Sequence, residues 1–353
     1  MEKSSLSPFP SSVTDHSSLV TKKVLVTGGA GFIGSNFIHF LLKERPGCKV
    51  VNLDKLTYAG NLENLSDIDN NEGYQFVKGD IADRKLVSEL LAEGIDVIVN
   101  FAAESHVDRS ILDPFPFIKT NVEGTQVLLE GAKKYGVGLF LQISTDEVYG
   151  SLGATGKFTE DSPLLPNSPY AASKASADCL CRAYYHTYKL PVIITRCSNN
   201  YGPYQFPEKL IPKAIIRAHR DMKIPIYGTG ENIRDWIFIK DHCEAIDLAL
   251  ERGEQGEIYN ISSGEERSNL EVVREILRIM DKPDLIEFVE DRPGHDIRYS
   301  LDSSKTRSLG WKPKHSFKEG LKETVEWYLK NEWWWQPLAD ERTLHPTPWK
   351  LEW

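Results

Sequence analysis

The chain has 353 residues and a mass of 40.0 kDa, which is long enough to bury a large core. Its hydrophobic share of 41% and charged share of 26% are typical of a soluble globular protein. The net charge of −9 and the pI near 5.6 argue against a protein that binds the nucleic-acid backbone, because that binding depends on clustered Lys and Arg. No apolar stretch approaches the roughly 18 residues of a membrane span.

The chain termini and the cysteines indicate the compartment. Residues 1–20 are rich in Ser and have no apolar core, so they resemble neither a secretory signal nor a transit peptide, and we expect a disordered tail. The five cysteines are odd in number and lack the spacing of zinc ligands. These features predict reduced, packed thiols, no metal site and a cytoplasmic protein.

Short apolar runs alternate with helical patterns from Lys22 onward. Continuous β-branched runs separated by helices predict a parallel sheet covered on both faces, which is an α/β fold of the Rossmann-like, doubly wound type. The predicted strands are Val24–Val26, Val50–Leu53, Tyr74–Val77, Ile95–Phe101, Leu139–Ile143 and Val192–Thr195.

The composition and pattern of the sequence change after about residue 197, where a predicted turn rich in Gly, Pro and Tyr is followed by a predicted helix near 208–220. We therefore predict a dinucleotide-binding domain over 21–197, a smaller C-terminal substrate-binding lobe over 198–337, and a C-terminal tail over 338–353. The boundary is expected to be interleaved, with parts near 234–261 returning to the main sheet. Within that stretch, Ile258–Ile261 is apolar enough to form a late strand there.

Three glycines, Gly28, Gly31 and Gly34, lie between the first predicted strand and a helix beginning at Phe32. Glycines there allow a tight turn and the close approach of a pyrophosphate to the helix N-terminus, where free N–H groups favour an anion. Asp54 closes the next strand, where a carboxylate can bind ribose hydroxyls and repel a 2′-phosphate. The pattern predicts an NAD site rather than an NADP site.

Two further strand ends carry candidate cofactor contacts, since ligands of such sheets bind at the carboxyl ends of strands. Asp80 and Ile81 follow the third strand, and Ala102 and Ala103 follow the fourth. Asp80 has two interpretations: it faces the adenine amine, or it caps the helix near 83–93.

The Tyr-x-x-x-Lys pattern occurs three times, so position must separate the candidates. Tyr74 and Lys78 lie on a strand and are too far apart, whereas Tyr185 and Lys189 lie at a helix end far from any strand end. Tyr170 and Lys174 begin a helix after Ser168, so the two side chains share one face. We expect the Lys174 ammonium to lower the pKa of the Tyr170 hydroxyl, which suits a general base.

Thr145 lies at the carboxyl end of a predicted strand and is followed by Asp146 and Glu147. The Thr145 hydroxyl can hydrogen-bond the substrate oxygen that Tyr170 deprotonates. Both carboxyls can reach one pocket where the strand bends into a loop. Two adjacent acidic residues in a loop are usually solvated, but next to Thr145 they predict an acid and a base that remove water.

Long strings give the chain its resemblance to a family. They are Leu53 to Asn61, Ala102 to Ser110, Ser144 to Gly150, Asn199 to Leu210, Arg234 to Trp236 and Asp291 to Asp296. Over about residues 22–335 the sequence resembles the nucleotide-sugar 4,6-dehydratases of the extended short-chain dehydrogenase/reductase superfamily. The resemblance implies NAD as cofactor, dTDP-glucose as substrate and a homodimer formed by the helices near 115–135 and 170–188.

The resemblance also implies a reaction. Tyr170 deprotonates the sugar's 4-hydroxyl as hydride leaves carbon 4 for NAD⁺. Glu147 then removes the proton on carbon 5 while Asp146 protonates the departing 6-hydroxyl, so Asp146 must be protonated and Glu147 ionised. Hydride finally returns to carbon 6 and a proton is restored at carbon 5, which gives the 4-keto-6-deoxy sugar.

Further binding residues are implied by the same resemblance. Besides those above, the cofactor contacts are Phe32, Ile33, Lys55, Leu56, Thr57, Ser105, Thr120, Tyr170, Lys174 and Asn200. The substrate contacts are Ser105, His106, Thr145, Asn199, Lys209, Leu210, Pro225, Tyr227, Arg234, Asn269, Arg292 and His295. His106 and Arg109 are placed at the nicotinamide end by analogy alone, and Trp333, Trp334 and Trp335 are interpreted as packing residues.

Three alternatives stay open at this point. A UDP-glucose 4,6-dehydratase has the same catalytic set. The second alternative is an epimerase or decarboxylase of the same superfamily, which lacks the pair formed by Asp146 and Glu147. A non-catalytic NAD-binding regulator needs none of the five catalytic residues together.

Overall fold

The computed structural model describes residues 22–351, so the tail predicted over residues 1–20 lies outside the described residues. The strands are β1 (Lys23–Thr27), β2 (Lys49–Asp54), β3 (Tyr74–Lys78), β4 (Val97–Asn100), β5 (Leu139–Thr145), β6 (Val192–Cys197), β7 (Asn199–Tyr201), β8 (Ile224–Tyr227), β9 (Ile233–Phe238), β10 (Ile258–Ile261), β11 (Glu266–Ser268) and β12 (Ile286–Val289).

Helices separate most of these strands. They are α1 (Phe32–Glu44), α2 (Arg84–Ala92), α3 (Val107–Leu112), α4 (Phe115–Phe117), α5 (Thr125–Tyr135), α6 (Pro169–Tyr188), α7 (Leu210–His219), α8 (Ile239–Arg252), α9 (Asn269–Ile279), α10 (Ser304–Ser308), α11 (Phe317–Lys330) and α12 (Glu332–Trp335). A π-helical stretch, Ile118–Gly124, joins α4 to α5. Short 3-10 helices occur at Leu62–Ile68, Asp146–Tyr149, Gln336–Leu338 and Pro348–Lys350.

Seven parallel strands form the main sheet in the order β10-β6-β5-β4-β1-β2-β3. The predicted doubly wound fold is therefore confirmed, and the predicted late strand Ile258–Ile261 is β10, which pairs with β6. One apolar cluster packs on each face of the sheet. The strand order reverses at β1, so the carboxyl ends of β1 and β4 open the crevice where such folds bind ligands.

The second lobe contains two small sheets. One has the order β11-β9-β7 and the other pairs β12 with β8. Within residues 234–261, β9 lies in the three-stranded sheet whereas β10 belongs to the main sheet, so the return to the main sheet is limited to the later segment. The helix expected near 208–220 is α7.

The expected packing of the cysteines and of the three C-terminal tryptophans is met except at Cys179 and Trp333. All five cysteines are free, and four of them are buried while Cys179 is exposed. Trp334 and Trp335 are buried, whereas Trp333 is 55% exposed. Among residues 22–351, no helix is long and apolar enough to cross a membrane.

Candidate active site

The turn after β1 is shaped for a close-approaching ligand. Gly28 has φ +68°, and a Cβ there would lie 2.6 Å from the Ala102 backbone nitrogen. A Cβ on Gly34 would lie 2.4 Å from the Gly28 carbonyl oxygen. Gly31 is the N-cap of α1 and offers no side-chain hydrogen bond to the first turn. The first N–H groups of α1 are thus left for an anion such as a pyrophosphate.

Asp54 at the end of β2 is a buried carboxylate held by backbone donors. Its Oδ2 accepts a hydrogen bond from the Ala30 N–H at 2.9 Å, and its Oδ1 accepts one from the Leu56 N–H at 2.8 Å. Burial raises the pKa of this carboxyl, while the two backbone hydrogen bonds oppose the rise. The carboxylate oxygens retain lone pairs that can accept hydrogen bonds from ribose hydroxyls.

A cavity of about 300 Å³ runs from this turn to the catalytic residues. It collects the residues expected to bind the cofactor: Gly28, Gly31, Phe32, Ile33, Gly34, Asp54, Lys55, Thr57, Asp80, Ile81, Ala102, Ala103, Ser105, Thr120, Tyr170, Lys174 and Asn200. We call it the dinucleotide cavity. Leu56 does not line it, since φ is +55° at this residue and its N–H turns back to Asp54.

Asp80 does not cap the following helix. The N-cap of α2 is Asp83, whose side chain accepts hydrogen bonds from the N–H groups of Lys85 and Leu86. Asp80 instead lies 2.8 Å from the Lys55 ammonium, and it lines the dinucleotide cavity. The helix-cap interpretation of Asp80 is therefore wrong, and its contact with the adenine amine stays a prediction.

The first turns of α6 place Tyr170 and Lys174 on one buried face. Ser168 caps the helix by accepting a hydrogen bond from the Ala171 N–H, and Pro169 occupies the first turn. Lys174 donates to the Ile143 carbonyl of β5 at 2.6 Å. The other two Tyr/Lys pairs lie on β3 and at the C-terminus of α6, outside the dinucleotide cavity.

The net shift of the Tyr170 pKa is upward in the protein without ligands, opposite to the lowering expected from Lys174. Burial raises the pKa of the Tyr170 hydroxyl well above its ordinary value, and the charges of Glu147 and Asp146 add to this rise. Burial also lowers the pKa of the Lys174 ammonium, which Asp178 opposes. Burial and the two carboxylates therefore dominate the pKa of the Tyr170 hydroxyl in the protein alone.

Thr145 ends β5 and caps a single 3-10 turn that carries both carboxyls. Its hydroxyl donates to Asp146 Oδ1 at 3.2 Å and accepts from the Glu147 N–H at 3.3 Å. Asp146 is 2% exposed, and its Oδ2 has no hydrogen-bond partner among residues 22–351. The turn thus directs an unpaired acid oxygen and a second carboxyl toward one pocket.

The two carboxyls differ in their surroundings. Burial, followed by the Glu147 charge, raises the pKa of Asp146 well above its usual range. Burial also raises the pKa of Glu147, but Arg292, Arg234 and Lys209 oppose that rise. The arrangement favours Asp146 over Glu147 as the carboxyl that holds a shared proton, which is the order needed for an acid and a base.

A second cavity of about 180 Å³ adjoins the first, and we call it the substrate cavity. Besides Glu147, its lining contains these predicted contacts: Ser105, His106, Asn199, Lys209, Leu210, Pro225, Tyr227, Arg234, Asn269, Arg292 and His295. Three of them are cations, which suit an anionic ligand. Burial, Arg292 and Arg234 lower the pKa of His295 to about 4, so this ring is neutral at pH 7.

Arg109 does not line either cavity, contrary to the position given by analogy. Its guanidinium lies 3.5 Å from the centre of the Tyr58 ring and 3.6 Å from Glu208. His106 does line the substrate cavity, and burial lowers its pKa well below the ordinary value. Arg109 thus packs on Tyr58 instead of lining either cavity.

Sequence reasoning missed Glu208 and Lys213. Glu208 is buried, lines both cavities and accepts a hydrogen bond from the Tyr58 hydroxyl at 3.0 Å. Lys213 lies one turn along α7 and lines the substrate cavity. The sequence signal for Glu208 was its position directly before the predicted contact Lys209. Nothing in the sequence distinguishes Lys213, which is buried in the structure, from an exposed lysine on a helix.

Comparison with known proteins places this arrangement in a family. A family model described as GDP-mannose 4,6 dehydratase matches residues 25–324. The chain is 53% identical over 337 residues to a dTDP-glucose 4,6-dehydratase of Xanthomonas campestris, covering 90% of this chain and 95% of that one. The chain therefore belongs to the nucleotide-sugar 4,6-dehydratase family.

Two solved structures show the same fold. One is dTDP-glucose 4,6-dehydratase of Bacillus anthracis in complex with NAD, with a TM-score of 0.86, 52% identity, and coverage of 90% of this chain and 100% of that one. The other is UDP-glucose 4-epimerase of Thermus thermophilus in complex with NAD, with a TM-score of 0.82, 32% identity, and coverage of 88% and 99%. The fold is thus shared by dehydratases and epimerases, and side chains must separate the two activities.

Proposed function

We propose that this protein is an NAD-dependent dTDP-glucose 4,6-dehydratase. It converts dTDP-D-glucose to dTDP-4-keto-6-deoxy-D-glucose and water. The single observation that carries the proposal is the unequal pair of carboxyls, Asp146 and Glu147, at the junction of the two cavities. A simple dehydrogenase or epimerase has no use for such a pair.

The dinucleotide cavity fits NAD. The glycine turn leaves room for a pyrophosphate, and the buried Asp54 carboxylate suits ribose hydroxyls but repels a 2′-phosphate. Bound NAD⁺ supplies the hydride acceptor for carbon 4 and, once reduced, the hydride donor for carbon 6.

The chain's own residues perform the proton transfers. Tyr170 accepts the proton of the 4-hydroxyl while Thr145 hydrogen-bonds that oxygen. The ketone formed at carbon 4 acidifies the hydrogen on carbon 5, and Glu147 removes it as general base. Asp146 protonates the departing 6-hydroxyl, so water leaves, and a proton returns to carbon 5 when carbon 6 accepts the hydride. Positioned acid–base groups of this kind contribute about 10²- to 10⁴-fold each.

The substrate cavity fits a nucleoside diphosphate. Lys209, Arg234 and Arg292 supply positive charge, and Pro225 and Tyr227 supply an apolar wall for a base. The choice of dTDP over UDP rests on the names of the relatives, because the two bases differ by one methyl group. A UDP-glucose 4,6-dehydratase is accordingly the second candidate.

The test is to incubate the purified protein with dTDP-glucose and with UDP-glucose and to assay for the 4-keto-6-deoxy product. We expect the product from dTDP-glucose. A 4-epimer or a pentose from either substrate, with no 4-keto product, would refute the proposal. Asp146→Asn should retain oxidation but slow the loss of water, so enzyme-bound NADH accumulates, whereas the exposed Asp161→Asn should behave as wild type.

We also propose that the enzyme is a homodimer in the cytoplasm. Phe115 and Ile118 are 81% and 51% exposed on the helical segment near 115–135 that the family resemblance places at the interface. Unpaired cysteines suit a reducing compartment. Light scattering after gel filtration should give a dimer for the wild type and a monomer for Phe115→Glu. A monomeric wild type would refute the dimer.

A further inference from the structure

The segment Ala339–Lys350, which we call the C-terminal strap, crosses the second lobe beyond the last residue of the family match. It runs along α7 and ends in the short 3-10 turn Pro348–Lys350, which packs on α3. α3 carries Asp108, whose carboxylate lies 2.9 Å from the Arg292 guanidinium in the substrate cavity. The end of the strap therefore supports one wall of that cavity.

Three basic side chains from α7 and its C-cap hold the strap by its backbone. Lys213 donates to the His345 carbonyl at 3.2 Å, and Arg217 donates to the Leu344 carbonyl at 2.6 Å. Arg220 donates to the Ala339 carbonyl at 3.1 Å. Charged donors make stronger hydrogen bonds than neutral ones, and the spacing of four and three residues puts them on one side of the helix. The strap is thus fixed to the helix that also supplies the substrate contact Leu210.

Trp349 connects the strap to the nucleoside end of the substrate cavity. Its ring is 7% exposed and meets the Tyr227 ring edge-on, with centroids 4.6 Å apart and an interplanar angle of 80°. Tyr227 ends β8 and lines the cavity beside Pro225. Edge-to-face aromatic pairs are favourable and fix the orientation of both rings.

We propose that Trp349 is a positioning residue for the nucleoside of the substrate. The strap, held by α7, fixes the Tyr227 ring and the adjoining end of α3, and it thereby raises the affinity for the nucleoside diphosphate. Trp349 does not line either cavity, so it acts through Tyr227 and leaves the reacting sugar untouched. This inference rests on the proposed function, whose substrate cavity the strap completes.

The experiment compares Trp349→Ala with Trp349→Phe. Trp333→Ala is the matched control, because Trp333 is also a tryptophan near the end of the chain but is 55% exposed. Calorimetry gives the Kd for dTDP, and steady-state kinetics give KM and kcat for dTDP-glucose. We expect Trp349→Ala to raise Kd and KM about tenfold, or about 1.4 kcal/mol, with kcat within about twofold of wild type. Trp349→Phe should recover most of the loss, and Trp333→Ala should match wild type.

A folded Trp349→Ala protein with the wild-type Kd for dTDP would overturn the inference. If that variant does not fold, hydrogen exchange on the wild type decides instead: dTDP should slow amide exchange in the strap, and unchanged exchange would overturn the inference. If the wild type binds UDP but not dTDP, the proposal of dTDP-glucose as substrate is refuted. The Kd for UDP is then measured on the same variants to test the role of Trp349. A wild type that binds neither nucleotide would refute both.

Discussion

His242 gives the fold an acid sensitivity whose size follows from the structure. The ring is fully buried on α8, and its Nδ1–H donates to Asn200 Oδ1 at 2.7 Å. Its Nε2 has no hydrogen-bond partner among residues 22–351. Burial lowers the pKa of His242 from 6.5 to about 3. The neutral ring is therefore part of the folded state, and it holds an amide that lines the dinucleotide cavity.

The sign and magnitude follow from proton binding. Because the folded pKa lies below the unfolded value of 6.5, the unfolded chain binds more protons between pH 6.5 and about 3. Stability from this group is intact above pH 6.5 and is lost as the pH falls through that window. At pH 5 the loss amounts to about 2 kcal/mol of the free energy of unfolding.

Urea denaturation of nucleotide-free protein at pH 7 and pH 5 measures this effect. His242→Asn keeps a donor near the Nδ1 position but cannot take up a proton, so its loss between the two pH values should be smaller than that of wild type by about 2 kcal/mol. The control is His186→Asn, which replaces an exposed histidine of α6 and should follow wild type. Equal losses for wild type and His242→Asn would refute the reasoning.

Three further substitutions test other parts of the site. Gly28→Ala should weaken NAD binding by more than about tenfold, measured by nucleotide titration, because the added Cβ meets the Ala102 backbone at 2.6 Å in a left-handed conformation. Asp178→Asn should lower the free energy of unfolding in urea by about 3 kcal/mol, since it leaves the buried Arg196 without its charge partner at 2.9 Å; a loss below about 1 kcal/mol would contradict this. Tyr170→Phe should give neither product nor enzyme-bound NADH, and full turnover would remove this hydroxyl from the mechanism.

The main sheet could be predicted from the sequence because its central strands are buried on both faces and read as continuous apolar runs. The bounds of strand β4 were predicted less accurately. It was expected over Ile95–Phe101 but spans Val97–Asn100, since Asn100 pairs with Thr27 and the partner strand β1 then turns away at Gly28. The residue at which a strand ends depends on where its partner strand stops pairing with it. The apolar pattern of one strand does not contain that information.

The site could be predicted as far as its residues follow a local pattern. The glycine turn, the Tyr170 and Lys174 pair and the residues after β5 all lie next to strand ends or helix starts, so their neighbours in sequence are also neighbours in space. The exclusion of Arg109 depends on Tyr58, which is about fifty residues away in the chain. The raised pKa of Tyr170 depends on its burial, and the ring packs with Val107 and Phe117, which spacing alone does not indicate.

The protonation of the carboxyl pair shows how the second lobe contributes to chemistry beyond binding. Asp146 and Glu147 are neighbours on one turn of the first lobe, so their local sequence gives no reason for one to hold a proton and the other to lose it. Arg292 is the first cation that opposes the rise in the Glu147 pKa, and it comes from the loop that also lines the substrate cavity. The charge of Glu147 in turn raises the pKa of Asp146. The cations that suit a diphosphate therefore also favour Asp146 over Glu147 as the carboxyl that holds a shared proton, because they oppose the rise in the Glu147 pKa.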